Sequence, residues 1–277
     1  PMSNPRLFDR AVIRLSPTEE EEDVRGFLQG LVTQDTAAEF PLWAALLSPQ
    51  GKASFDFFLW ADGADVLIDC EGDQAEALVR RLSLYRLRRK IAIAVDPAQG
   101  VYWAVSATDG TKDPRLAALG VRWLAPSEDD GVDVSAFYRN HRLSLGVTEG
   151  IAELGSDATL WLECNAAELN GVSFSKGCYV GQEVVSRMQH RGTARRRVLI
   201  AHGGSALEAG APVTAGGRLI GTLGSALEEK ALALVRIDKV KDAMDSGLEI
   251  LAGGVAVRLS IPPRANFSWP EATGGEE

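Results

Sequence analysis

From Arg196 onward the chain is cut by the glycine pairs Gly203-Gly204, Gly216-Gly217 and Gly253-Gly254 into short apolar segments at 198–201, 219–223, 231–237 and 255–261. In the last of these, Val255, Val257, Leu259 and Ile261 alternate with other residues, the period of a strand with one face buried. Short strands divided by glycine turns can bury their apolar faces by curling on one another. The pattern predicts a small all-β, barrel-like domain over 196–265 with a boundary near 195.

Upstream the rhythm is mixed. Ser16-Pro17-Thr18-Glu19 predicts a helix start, with serine as cap, proline in the first turn and glutamate returning a bond. That helix should run to about residue 30 and turn Val24, Phe27, Leu28 and Leu31 inward. Apolar stretches at 42–47, 53–60 and 66–70, separated by Ser48-Pro49-Gln50-Gly51 and Ala61-Asp62-Gly63, predict antiparallel strands. A helix capped by Asp73 is expected to about 88. Strands at 91–95, 101–107 and 121–124, a short helix at Asp113-Pro114, and helices at 137–145 and 181–188 follow. The class is α+β over 6–195, with helices on one face of antiparallel sheet. Residues 266–277, ending Pro-Glu-Ala-Thr-Gly-Gly-Glu-Glu, are too poor in apolar groups to fold and predict a flexible tail.

The formal charge of −9 argues against general affinity for nucleic acid or anionic membranes, and no run of about 18 apolar residues provides a membrane span. Two basic clusters depart from that balance: Arg80, Arg81, Arg86, Arg88, Arg89 and Lys90, and then Arg191, Arg195, Arg196 and Arg197. They suit either an anionic small molecule or a solvated surface. The cysteines, Cys70, Cys164 and Cys178, have no CxxC spacing and are odd in number, which points to a reducing compartment without a disulfide framework. The three histidines make no HxH or HExxH pattern, so no metal site is expected. With no Arg/Ser-rich leader remaining at its start, the chain is expected in the cytoplasm rather than in an organelle matrix after presequence removal. Neither a hydrolase elbow nor a phosphate loop is present.

The densest polar stretch is Ser173-Phe174-Ser175-Lys176-Gly177-Cys178-Tyr179-Val180-Gly181-Gln182-Glu183. Glycines bracket Cys178 and allow a tight turn, Lys176 supplies a cation nearby, and a helix starting near Val180 would favour a thiolate. The alternative is a buried structural thiol.

The run from Lys176 through Gly177, Cys178, Tyr179, Gly181, Gln182 and Glu183 resembles the signature of the YgfZ family, folate-binding relatives of the glycine-cleavage T-protein. Further strings fall in the expected order: Phe27-Leu28-Gln29-Gly30-Leu31-Val32-Thr33-Gln34-Asp35, Leu47-Ser48-Pro49-Gln50-Gly51-Lys52, Tyr85-Arg86-Leu87-Arg88-Arg89-Lys90, Glu149-Gly150-Ile151, Glu163-Cys164-Asn165 and Asn170-Gly171-Val172-Ser173. The resemblance implies a three-lobed ring, two α+β lobes with antiparallel sheets plus a C-terminal small β-barrel, with tetrahydrofolate at its centre. It implies support for [4Fe–4S] proteins, with client or assembly proteins as partners, rather than an established catalytic activity. It places Cys178 and Lys176 in the functional motif. Glu163 falls where relatives bind the pterin ring, a role suited to a carboxylate that can accept two hydrogen bonds. Arg195, Arg196 and Arg197 are candidates for the folate carboxylates, with no choice among them. Aminomethyltransferases carry adjacent aspartates where this chain has Phe55-Asp56, and a phenyl ring cannot hold a folate amine. Folate-dependent one-carbon transfer is therefore the second reading, with Asp56 facing either pocket or solvent. A scaffold that docks partners through the basic helix at 80–90 is the third.

Overall fold

The computed structural model describes residues 4–270 apart from Asp109 and Thr193. Three bodies share a central core. The first is a five-stranded antiparallel sheet in the order Leu42–Leu47, Ala53–Asp62, Asp65–Glu71, Arg10–Pro17, Ile91–Val95. Helices Val24–Gln29 and Ala75–Arg86 cover one face through Phe27, Leu28, Leu78 and Leu82. Strand Leu42–Leu47 is buried along its whole length because it separates two cores. Leu42, Ala44 and Leu46 face the helices, while Trp43, Ala45 and Leu47 face the molecular centre. Its unbroken apolar run is thus two period-two faces, both buried.

The second sheet follows the order Val132–Asp133, Pro5–Arg6, Gln99–Ala104, Val121–Pro126, Thr111–Lys112, and the first pair is parallel. Helix Ser135–Ser144 packs Tyr138 against Trp103, ring centroids 5.0 Å apart. Because Pro5–Arg6 belongs to this sheet and Arg10–Pro17 to the first, the chain visits the second lobe before it builds the first.

The third body is a closed six-stranded barrel in the order Arg196–Gly203, Lys230–Arg236, Arg218–Leu227, Pro212–Ala215, Ile250–Ala252, Val255–Ser260, with helix Ile237–Asp245 packed against its core. The chain is therefore α+β with antiparallel sheets and a C-terminal closed barrel. Between the second sheet and the barrel, Trp161, Leu162, Cys164, Leu169, Tyr179 and Val185 join Trp43 and Phe58 in the central core. Among the described residues no helix is long and apolar enough to cross a membrane.

Several local expectations are corrected. Ser16 and Pro17 end a strand, paired with Ala92 and Ile91, and the helix begins at Val24 after Asp23, whose Oδ1 accepts the Gly26 N–H at 2.9 Å. Sheet pairing overrides the local helix-start signal. Asp73 sits in the 3-10 turn Gly72–Gln74, which has no side-chain cap, ahead of helix Ala75–Arg86. Asp113 binds Arg115 at 2.9 and 2.7 Å, and only the 3-10 turn Ala117–Leu119 follows it. Phe267 and Trp269, within the expected tail, pack on the barrel core, and the tail beyond Pro270 lies outside the described residues.

Buried charges join the first two lobes. Asp69 accepts from Arg10 at 2.7 Å and Arg122 at 2.6 Å. Glu149 accepts from Arg115 at 2.7 Å, Arg10 at 3.2 Å and the Tyr138 hydroxyl at 2.6 Å. Phe58 lies under Arg115 and Arg122, 4.6 and 4.3 Å from ring centroid to guanidinium carbon. Burial by itself would raise the Glu149 carboxyl, yet the surrounding arginines, led by Arg115 and Arg10, hold it well below the ordinary range.

Candidate functional site

The octet containing Cys178 forms a loop that leads into helix Gln182–His190. Lys176 anchors the loop. It is buried, and its ammonium donates to the carbonyls of Gln29 at 2.7 Å, Val32 at 2.5 Å and Gln34 at 2.9 Å. Those carbonyls lie at and beyond the end of helix Val24–Gln29, where backbone acceptors lack partners of their own. Burial pulls the ammonium down to about 8, against Asp35. All three N–H bonds are spent on backbone, so Lys176 shapes the loop rather than projecting a free cation beside the thiol. Tyr179 is buried in the central core, its ring 4.9 Å from the Lys176 ammonium, and burial pushes its hydroxyl up to about 12.

Gly181 stands just before the helix at φ +82°, and a Cβ there would lie 2.6 Å from the Ser48 carbonyl oxygen. A Cβ on Gly51, at φ +75°, would lie 2.8 Å from the Val184 Cβ. Two glycines facing each other let the turn after strand Leu42–Leu47 nest against the octet helix. Gln182 and Glu183 open that helix, and Glu183 pairs with Arg187 on its exposed face. Cys178 is exposed, as is Phe174, whereas Cys70 and Cys164 are buried. Burial pushes the Cys70 thiol up to about 12 and raises Cys164 as well. Among the described cysteines, Cys178 alone can meet a partner or a metal-bearing substrate.

The same turn carries the second candidate. Lys52 bridges to Leu160, and Trp161 donates its N–H to the Gly51 carbonyl at 3.1 Å. This places the 3-10 turn Trp161–Cys164, and so Glu163, against the hairpin that also supports the octet. The Glu163 side chain is 10% exposed, and its nearest cation is the Arg196 guanidinium at 3.9 Å. Burial raises the Glu163 pKa, against the opposing pull of Arg196. The arginine triplet is split by strand alternation. Arg196 turns toward Glu163, while Arg195 and Arg197 line a groove of about 930 Å³ with Arg236, Phe267 and Trp269. Arg197 pairs with Glu168 at 2.9 Å. Arg196 is thus the arginine beside Glu163.

Asp56 points inward rather than to solvent. Its oxygens accept from Trp43 Nε1 at 3.2 Å and from the Gly150 N–H at 3.0 Å, and burial and Glu149 raise its pKa. The cavity beside it, shared with Phe55, Cys70 and Glu71, measures about 10 Å³, room for about one water. Among the described residues no group of three His, Cys, Asp or Glu side chains is placed to hold a metal ion.

The sequence strings quoted above prove to be neighbours. Thr33 donates through Oγ1 to the Gly171 carbonyl at 2.7 Å and accepts the Ser173 N–H at its own carbonyl. Gln34 donates to the Asn170 carbonyl, and Lys176 grips the same 29–34 segment. Sequence reasoning overlooked the part played by Gly51. Its signal was a glycine closing a proline turn, which asks for a positive φ and a close approach.

The family described as the CAF17 C-terminal beta-barrel domain matches residues 195–267. The human mitochondrial iron–sulfur cluster assembly factor IBA57 is 30% identical over 93% of this chain and 83% of its own length. Its mouse counterpart is 30% identical over 85% and 78%. Among solved structures, the glycine cleavage system aminomethyltransferase T from Bartonella henselae superposes with a TM-score of 0.70. It covers 94% of this chain and 86% of its own, at 13% identity, a likeness of fold. These relatives are named as mitochondrial, which overturns the cytoplasmic expectation. That expectation leaned on a missing leader, but a leader removed on import leaves no trace in a mature chain.

Proposed function

The chain belongs to the family of IBA57 iron–sulfur cluster assembly factors, and from that premise we propose that it supports assembly or repair of [4Fe–4S] clusters in client enzymes through Cys178. The observation that carries the reading is the exposure of Cys178 on a loop held rigid by Lys176, Tyr179 and Gly181. A thiol presented at a fixed point can ligate a cluster in transit or react with a sulfur or iron donor. One cysteine cannot complete the ligation of a cluster, so the remaining ligands come from an assembly or client protein. The likeness to YgfZ proteins supports the finer assignment, including the folate.

Tetrahydrofolate fits at Glu163. Its carboxylate is withdrawn from solvent with acceptor sites unspent, and Arg196 beside it can receive an anionic group. Bound there, tetrahydrofolate would supply an oxidisable reduced pterin. Asp56 does not extend that site, because both its oxygens are occupied and the cavity beside it is too small for a ring. One-carbon transfer has the shared fold in its favour and nothing from the side chains, since Phe55 packs against the helical core where transferases have an aspartate.

Two measurements test the reading. In cells lacking the protein, Cys178→Ser should fail to restore cluster-enzyme activity while accumulating to the wild-type level, and full rescue would refute the thiol's role. Calorimetric titration of the anaerobic protein with tetrahydrofolate should give saturable binding, weakened about tenfold (~1.4 kcal/mol) in Glu163→Ala. Absence of binding to folded wild type would remove the folate and leave the cysteine untouched.

A further inference from the structure

The C-terminal end of helix Ala75–Arg86 carries an unusual conjunction. Leu84 and Leu87 are 72% and 86% exposed. Leu87 has φ +49° and ψ −112°, a conformation that glycine accepts and a branched L-residue resists. An apolar side chain held in water by a strained backbone contributes nothing to the fold, and such strain clusters where a surface has a task. Around the two leucines stand Arg80, Arg81, Arg86 and Arg88, none of which forms an ion pair among the described residues. The neighbouring acidic run does not neutralise them. Glu22 takes Arg89 at 2.6 Å and Glu19 takes Lys90 at 3.6 Å, leaving the four arginines unmatched. A shallow groove lined by Thr18, Arg86, Leu87, Arg88, Ile91 and Ala92 runs beside Leu87. In a chain of net charge −9, this is a local reversal of sign with an apolar centre.

We propose that this face docks an acidic segment of a partner protein, with carboxylates meeting the arginines that lack ion pairs and an apolar side chain seated against Leu84 and Leu87. Charge complementarity selects this occupant. Four guanidiniums without an ion pair among the described residues, of which Arg86 donates to the Ile91 carbonyl at 3.2 Å, attract carboxylates, and the leucines give a peptide apolar contact that a simple anion cannot use. The position suits the proposed function without depending on it. Arg89 holds the start of helix Val24–Gln29 through the Asp23 carbonyl at 2.7 Å, while Lys176 holds its far end at Gln29. Six residues of helix span about 9 Å, so the anchor points of Arg89 and Lys176 lie at opposite ends of one short helix.

The experiment uses the full chain and a fluorescein-labelled synthetic peptide in which glutamates flank Leu and Phe, with a lysine counterpart as control, read by anisotropy at low salt. Wild type should bind the acidic peptide and not the basic one. Arg80→Glu combined with Arg88→Glu should weaken binding at least tenfold. Leu87→Gly should raise the melting temperature by relieving φ, yet weaken the peptide about tenfold through the lost apolar contact. The stabilised variant separates docking from folding. Binding unchanged by Leu87→Gly or by the charge reversal would overturn the proposal. So would arginine-dependent binding of phosphatidylserine vesicles or a single-stranded oligonucleotide with no binding of the peptide. Because the readout involves no cluster and no thiol, failure here leaves the role of Cys178 standing, and the reverse.

Discussion

The ammonium of Lys176 is enclosed by three carbonyls, while the thiol of Cys178 two positions on is open to solvent. Sequence spacing alone invites pairing them as cation and thiolate; the structure gives the lysine to the backbone of another segment. Glu71 shows a second residue-scale effect. Burial, then the nearby Asp56 charge, raises its carboxyl to about 7, while the Ile151 N–H donates to it at 2.9 Å. A carboxyl whose folded pKa lies above its unfolded value near 4.5 contributes stability that is complete below that value and lost as pH rises through about 7. Glu71→Gln keeps an acceptor for Ile151 and removes the charge. Its urea midpoint should therefore match wild type near pH 4.5 and exceed it at pH 8, and equal midpoints at both would show that Glu71 ionises freely.

Among the elements, the hairpin turn Ser48 to Gly51 holds both candidate regions, the octet helix through Gly181 and the Glu163 turn through Trp161. Gly181→Ala would impose a left-handed penalty of about 1–2 kcal/mol and drive its Cβ into the Ser48 carbonyl. A urea midpoint lowered accordingly is expected, together with faster reaction of Cys178 with a thiol reagent as the loop loosens. An unchanged rate would mean the loop is held without the turn. Elements with strong local period were legible from sequence. The strands at 42–47, 53–62 and 91–95 show as apolar runs between turns, and Val255–Ser260 as an alternation, whereas the barrel strands Pro212–Ala215 and Ile250–Ala252 were not legible. Pro5–Arg6 and Thr111–Lys112 were not legible, because two-residue strands have no period and exist only through their neighbours.

For the whole molecule, the arginine and carboxylate network joins the two lobes. Asp69 is fully buried between Arg10 and Arg122, so Asp69→Asn leaves Arg122 without its charge partner and Arg10 with Glu149 alone. The expected loss is about 3–5 kcal/mol in urea unfolding, and a loss under about 1 kcal/mol would mean that the lobes are held by Phe58 and its apolar neighbours. None of this network could be assembled from sequence, since its members lie at positions 10, 69, 115, 122, 138 and 149 and no local pattern links them.

By itself the sequence determined the class and the barrel and marked out the contiguous octet around Cys178, because periodicity, glycine placement and a contiguous motif are local properties written in order. Tertiary structure alone decided which side chains those segments leave free. It confined Lys176 and Asp56, set Glu163 beside Arg196 and turned Arg196 away from Arg195 and Arg197, and held Cys178 in the open. The reason is physical: burial and hydrogen-bond satisfaction depend on what arrives from distant parts of the chain, and the free valence of a site is whatever the fold has not already used.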